Sequence, residues 1–210
     1  IAHAAGARVI NMSLGGGSPN AAVIAAIQAA VADGVVFVIS AGNDGETPEG
    51  GNPDPFALVP AQQFTDNVII AGSVGVASGG GINDDQISDF SNRAGTGRDF
   101  YLTAVGYRDR APDQTGTQYL WSGTSFSAPT ISGAVALMAQ AFPNLTGAQI
   151  VDILFQSADD LGSPGVDSVY GHGRLNIASA FQPIGSTSLA GSQTAVSTSL
   201  NGSLPSAAGD

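Results

Sequence analysis

Short apolar runs alternate with helix-spaced apolar positions along the first 182 residues. Arg8–Ser13 (RVINMS) is rich in apolar side chains and runs into a glycine cluster, Gly15–Gly17, so it predicts a buried strand. Asn20 is a good cap residue. After it Val23, Ala26, Ile27, Ala30 and Val31 recur at helical spacing to about Asp33, and Gly34 suits the position past a helix end. Val35–Ser40 (VVFVIS) predicts a second buried strand. Strand, helix and strand in such a short stretch form a βαβ unit, which requires parallel strands. Val68–Ala71 is a third run of this kind.

Gly42–Thr65 is rich in Gly, Pro, Asp and Glu and predicts a surface loop; Ser78–Gln86 predicts a second one. A further helix is expected from Ser125, with Pro129 in its first turn and a stripe of Ala128, Ile131, Ala134, Val135, Met138 and Phe142. Thr146 and Gln149 have the spacing of a capping box, opening a helix to about Ala158. The fold class is therefore α/β, a mostly parallel sheet flanked by helices. Beyond Phe181 the pattern stops. Of residues 185–210, 18 of 26 are Gly, Ser, Thr or Ala, too few large apolar groups for a core. The expected division is a folded unit over 1–182 and a linker or tail over 183–210.

Charge narrows the function classes. Only 11% of the 210 residues are charged, against about 25% in an average soluble protein. Six Arg, no Lys and 17 acidic residues give a net charge of −11, which excludes a basic nucleic-acid footprint. No apolar stretch approaches the ~18 residues needed to span a bilayer as a helix. With no Cys there is no disulfide, zinc-thiolate site or thiol nucleophile. The scarcity of charge suits an extracellular surface, and a start at Ile1 is expected of a processed product or excised piece.

Three segments carry candidate chemistry. Gly123–Pro129 (GTSFSAP) sets Ser125 in a turn at the mouth of a helix, where the dipole favours a developing negative charge. A Ser there serves equally well as a plain N-cap. The G-x-S-x-G elbow is ruled out because Ser127 stands where its last Gly is needed. Ala41–Gly45 (AGNDG) follows the second strand, on the edge where parallel sheets bind ligands, and Asn43 could donate its amide to an oxyanion. The same residues make an ordinary turn. Asn11–Gly16 (NMSLGG) ends the first strand on that same edge.

In order, NMSLGG, AGNDG, GTSFSAP and Gly171–Asn176 (GHGRLN) resemble the subtilase family, the subtilisin-like serine proteases, over roughly residues 1–181. The resemblance implies a serine endopeptidase acting on polypeptides through an acyl-enzyme. Ser125 would be the nucleophile. Asn43 would be the oxyanion-hole side chain, with the Ser125 N–H as second donor. Ser13, Leu14 and Gly15 would form the edge that pairs with substrate. Ile39, Ser40, Ala41 and Gly42 would wall the pocket for the residue before the scissile bond, favouring large uncharged side chains.

The family's triad runs Asp, His, Ser along the chain. Its Asp and His segments stand before NMSLGG, and nothing here resembles them. The expectation is therefore the C-terminal portion of a peptidase domain, inactive alone and completed by its own N-terminal portion. His3 and His172 match no catalytic position, and Thr130 replaces a frequent non-catalytic His. Calcium occurs in the family, and Asn83–Asp84–Asp85 and Asp159–Asp160 offer suitable oxygens, although acidic loop residues are commonly only solvated. No other metal or cofactor is implied. The uncharged tail resembles the secreted subtilases of Gram-negative bacteria that continue into an outer-membrane barrel, which implies a secreted or cell-surface location. Two rivals remain: a non-catalytic passenger or binding module, and a sedolisin-like serine-carboxyl peptidase, which would have Asp in place of Asn43.

Overall fold

Alternation along neighbouring strands divides the core into two layers. In the computed structural model, which describes residues 1–78, 81–182 and the antiparallel pair Thr187–Ser188 and Ala195–Val196, the central sheet has five strands. These are β1 (Val9–Met12), β2 (Val36–Ser40), β3 (Val68–Ser78), β4 (Gly81–Ile87) and β5 (Tyr101–Val105). β1, β2, β3 and β5 lie side by side and parallel, while β4 folds back antiparallel onto the far end of β3. Val36, Val38, Ile69, Ala71, Leu102 and Ala104 face one side. Phe37, Ile39, Val68, Ile70 and Tyr101 face the other. Burial on both faces explains why these strands read as unbroken apolar runs.

The first face is covered by α3 (Thr124–Ala141), α4 (Gly147–Gln156) and α5 (Ile177–Ala180). The second carries α1 (Ala21–Ala32) and α2 (Pro55–Gln63). The Asn20 side chain accepts from the Val23 N–H at 3.0 Å, and Gly34 is left-handed at φ 78°, so α1 begins and ends as its caps predict. Ile27 and Ala30 are buried, but Ala26 faces solvent. The capping box at Thr146 is complete.

Two loop expectations are overturned. Within Gly42–Thr65 the chain forms α2, which buries Ala57, Pro60 and Ala61 against the sheet. Pro60 stands inside this helix, and a second Pro opens it. Packing overrides the weak local propensity. Most of Ser78–Gln86 is β4, whose exposed polar residues give no apolar alternation to read. A further hairpin, β6 (Asp109–Pro112) and β7 (Gln118–Trp121), leads into α3 and was not anticipated. Apart from the short strand pair, the expected tail over 183–210 lies outside the described residues.

Candidate active site

β1 and β2 end side by side, and the chain after each turns toward the N-terminus of α3. Asn43, exposed in the turn after β2, is held by its carbonyl oxygen. Oδ1 accepts from the Thr124 N–H at 2.9 Å and from the Thr124 hydroxyl at 3.0 Å. With Oδ1 fixed in this way, Nδ2 is turned away from Thr124 and lies beside Gly123, two residues before Ser125. Ser125 is half-buried, and its N–H has no partner among the described residues. An unpartnered helix N–H and an unpartnered side-chain amide thus lie in the same turn region among the described residues, and two such donors converging on one atom can stabilise an oxyanion.

The turn that presents Ser125 requires glycine. Gly123 has φ 154° and ψ 153°, a backbone that L side chains rarely adopt, and its N–H donates to the Gly106 carbonyl at 2.8 Å. Pro129 is the sixth residue of α3, not part of a first turn. It cannot donate to the carbonyl four residues back, which is that of Ser125. The Ser13 hydroxyl fills that role, donating to the Ser125 carbonyl at 2.8 Å. Ser13 itself accepts from Asn11 Nδ2 at 3.0 Å, and Asn11 accepts from Ser132 on α3 at 3.2 Å.

Leu14 is exposed, and its carbonyl accepts from the Ser40 hydroxyl at 2.8 Å. Ser40, Ala41 and Gly42 are buried beneath this surface. The structure therefore brings Ser13, Leu14, Gly15, Ser40, Asn43 and Ser125 to one sheet edge, with Ala41 and Gly42 as support beneath. Sequence reading missed the aromatic group beside it. Trp121 stacks on Phe126, the residue after Ser125, with ring centroids 6.1 Å apart, and Tyr119 meets Trp121 edge-on at 5.9 Å.

Neither His reaches this edge. His3 bonds Asp33 at 2.6 Å, at the far end of α1. His172 stacks on Phe155 at 4.0 Å and contacts the Asp99 carbonyl through Nε2 at 3.1 Å; burial pushes its pKa below the ordinary value. The acidic segments expected to suit calcium meet a guanidinium instead. Arg174 bonds Asp84 at 3.0 Å, Asp85 at 2.8 Å and Asp159 at 3.0 Å. The Asn176 amide, then Arg174, holds Asp159 below the usual carboxylate range. Among the described residues no cluster of His, Cys, Asp and Glu could hold a metal ion.

The sequence profile of the subtilase family matches residues 1–173. The chain belongs to the subtilase family. This subtilase is 33% identical over 174 residues to subtilisin from Bacillus pumilus, covering 83% of this chain and 56% of that protein. It is 32% identical over 167 residues to serotype-specific antigen 1 of Mannheimia haemolytica, covering 75% of this chain and 17% of the antigen. Among solved structures it resembles the patellamide maturation protease PatA, with a TM-score of 0.66 and 27% identity, covering 86% of this chain and 64% of that one. The prenylagaramide maturation protease PagA, at 22% identity and a TM-score of 0.64, shares the fold. The subtilase thus spans 17% of one of these curated relatives and 56% of the other. The family is one of serine proteases. Among the described residues no helix is long and apolar enough to cross a membrane.

Proposed function

We propose that this subtilase domain is part of a serine endopeptidase in which Ser125 attacks the scissile carbonyl. The Asn43 amide and the Ser125 N–H then bind the oxyanion. A polypeptide substrate lies extended along Ser13–Leu14–Gly15. The observation that carries this reading is the pair of bonds from Thr124, the residue before Ser125, to Asn43 Oδ1, which leave the Asn43 amide donors free for another acceptor. A Ser hydroxyl is a weak nucleophile until a base takes its proton. We assign that base and its orienting acid to an upstream segment of the parent protein, in the family order Asp, His, Ser. The open side of β1, an edge of the sheet among the described residues, is where that segment would pair. A secreted or surface location is supported by the low charge and by the Mannheimia relative named as an antigen.

Labelling with a fluorophosphonate probe tests the assignment, comparing the chain alone with one extended upstream. The extended chain should label and the chain alone should not, and Ser125→Ala should abolish labelling. Asn43→Ala should slow it by about 10²–10³, the loss established for the corresponding Asn of subtilisin, itself a member of this family. If neither chain labels while both are folded, the peptidase reading fails and a non-catalytic passenger replaces it.

A further inference from the structure

Asp54 stands at the N-cap of α2, yet its carboxylate makes no bond to its own helix. One oxygen instead accepts from the Gly16 N–H at 2.6 Å, and the other from Asn92 Nδ2 at 3.0 Å. Asn92 is 1% exposed and turns its own oxygen to the Asp44 N–H at 2.7 Å. Gly16 follows the segment Ser13–Leu14–Gly15, and Asp44 follows Asn43. The backbone repeats the connection: Asp54 N–H donates to the Ala41 carbonyl at 2.7 Å, Asn92 N–H to the Gly42 carbonyl at 3.1 Å, and Phe56 N–H to the Gly16 carbonyl at 3.1 Å. The fit is close on both sides, since a Cβ on either Gly15 or Gly42 would collide with the Asp54 carboxylate.

We propose that Asp54, acting through Asn92, is a positioning residue that ties the substrate-pairing edge to the turn carrying Asn43. It rests on the reading of Asn43 as oxyanion donor. A carboxylate suits the task because it accepts from two donors at once, and hydrogen bonds to an ionised acceptor are the stronger kind. Asp54→Ala frees the Gly16 amide and strands the buried Asn92 amide. Asn92 then has no reason to keep its oxygen on Asp44, so both segments loosen together. Asp54→Asn offers one acceptor oxygen in place of two and preserves one of the two bonds.

Two readouts test the clamp separately from the peptidase reading. The first is residue-resolved amide hydrogen exchange on this chain. Asp54→Ala should speed exchange at both Gly16 and Asp44 by at least about tenfold, the worth of one such hydrogen bond, with Val38 and Ile70 unchanged. Asp54→Asn, which keeps the side-chain volume, should show the same pattern more weakly and serves if the Ala variant does not fold. The second is kinetics of the upstream-extended chain, per titrated active site. Asp54→Ala should lower kcat for a peptide and for a single-residue ester alike, and raise KM for the peptide alone. Rescue should be partial in Asp54→Asn. A simple loss of folded protein would change the number of titrated sites and leave both constants untouched. An Asp44 amide that stays protected, or unchanged constants per site, overturns the clamp. A wild-type extended chain that never labels, with Gly16 and Asp44 still exchanging together in the variants, leaves the clamp standing and removes the peptidase reading.

Discussion

Pro129 decides what Ser13 does. By withholding an N–H it leaves the Ser125 carbonyl open, and the Ser13 hydroxyl closes that gap from another strand end. The two residues should therefore be energetically coupled. Ser13→Ala should slow acylation of Ser125 in the native background. It should do so much less in Pro129→Ala, where an N–H introduced at 129 serves the same carbonyl from within the helix. Rates for the upstream-extended chain, its two single variants and the double variant should give a coupling of about 1 kcal/mol, the worth of one hydrogen bond. Additive losses would show that the hydroxyl acts elsewhere. The sequence showed Ser13, Ser125 and Pro129 each in a motif. The bond between the first two, 112 residues apart, depends on where β1 ends relative to α3.

At the scale of elements, the Tyr101 side chain of β5 fills the space that a side chain at Gly72 of β3 would need. Gly72 in β3 lies against the ring and hydroxyl of Tyr101, which is fully buried and donates through that hydroxyl to the Asn92 carbonyl. Burial drives the phenol pKa well up, so Tyr101 stays neutral and keeps its proton for this bond. Gly72→Ala should displace the ring and destabilise the fold by about 1–3 kcal/mol, the usual cost of overpacking. Urea unfolding should show a lower midpoint with an unchanged slope. An unchanged midpoint would mean that the ring yields at no cost. α2 illustrates the opposite limit of legibility. Its prolines and its polar flanks argue for a loop, and only burial of Ala57, Pro60 and Ala61 against the sheet makes it a helix.

For the molecule as a whole, His172 and Asp159 shape the response to acid. His172 titrates below its ordinary value of about 6.5, chiefly because burial against Phe155 disfavours the charged ring; the Asp99 carbonyl and the charges of Asp99 and Asp152 oppose this. The unfolded chain therefore takes up the proton first. Stability is full above about pH 6.5 and falls as pH drops toward the folded value. Asp159 acts in the same direction further down. Its folded pKa is depressed, so its contribution is present at neutral pH and is lost as pH falls through the carboxylate range. Thermal midpoints measured from pH 8 to pH 5 should decline, beginning below about pH 6.5. His172→Phe, which can keep the stack on Phe155, should flatten that first decline. A slope unchanged in the variant would move its origin away from His172.

Composition, periodicity and short motifs were enough to determine the fold class and the caps of α1 and α4, while the candidate pair Asn43 and Ser125 came from the resemblance of their motifs to the subtilases. Each of these rests on local chemistry: apolar runs bury as strands, Asn20 and Thr146 satisfy helix N–H groups, and the motif residues lie within a few positions of one another. Only the tertiary structure decided the rest. α2 and β4 exist because the sheet gives them something to pack or pair with. The Asp84, Asp85 and Asp159 carboxylates, which along the chain read as solvated loop acids with oxygens that could also suit calcium, converge on Arg174 once the loops are placed. Asp54 falls in a stretch that reads as a surface loop, and only the folded chain brings the Gly16 and Asn92 donors within its reach. Hydrogen bonds between residues far apart in sequence leave no periodic trace, so no reading of the chain alone could have found them.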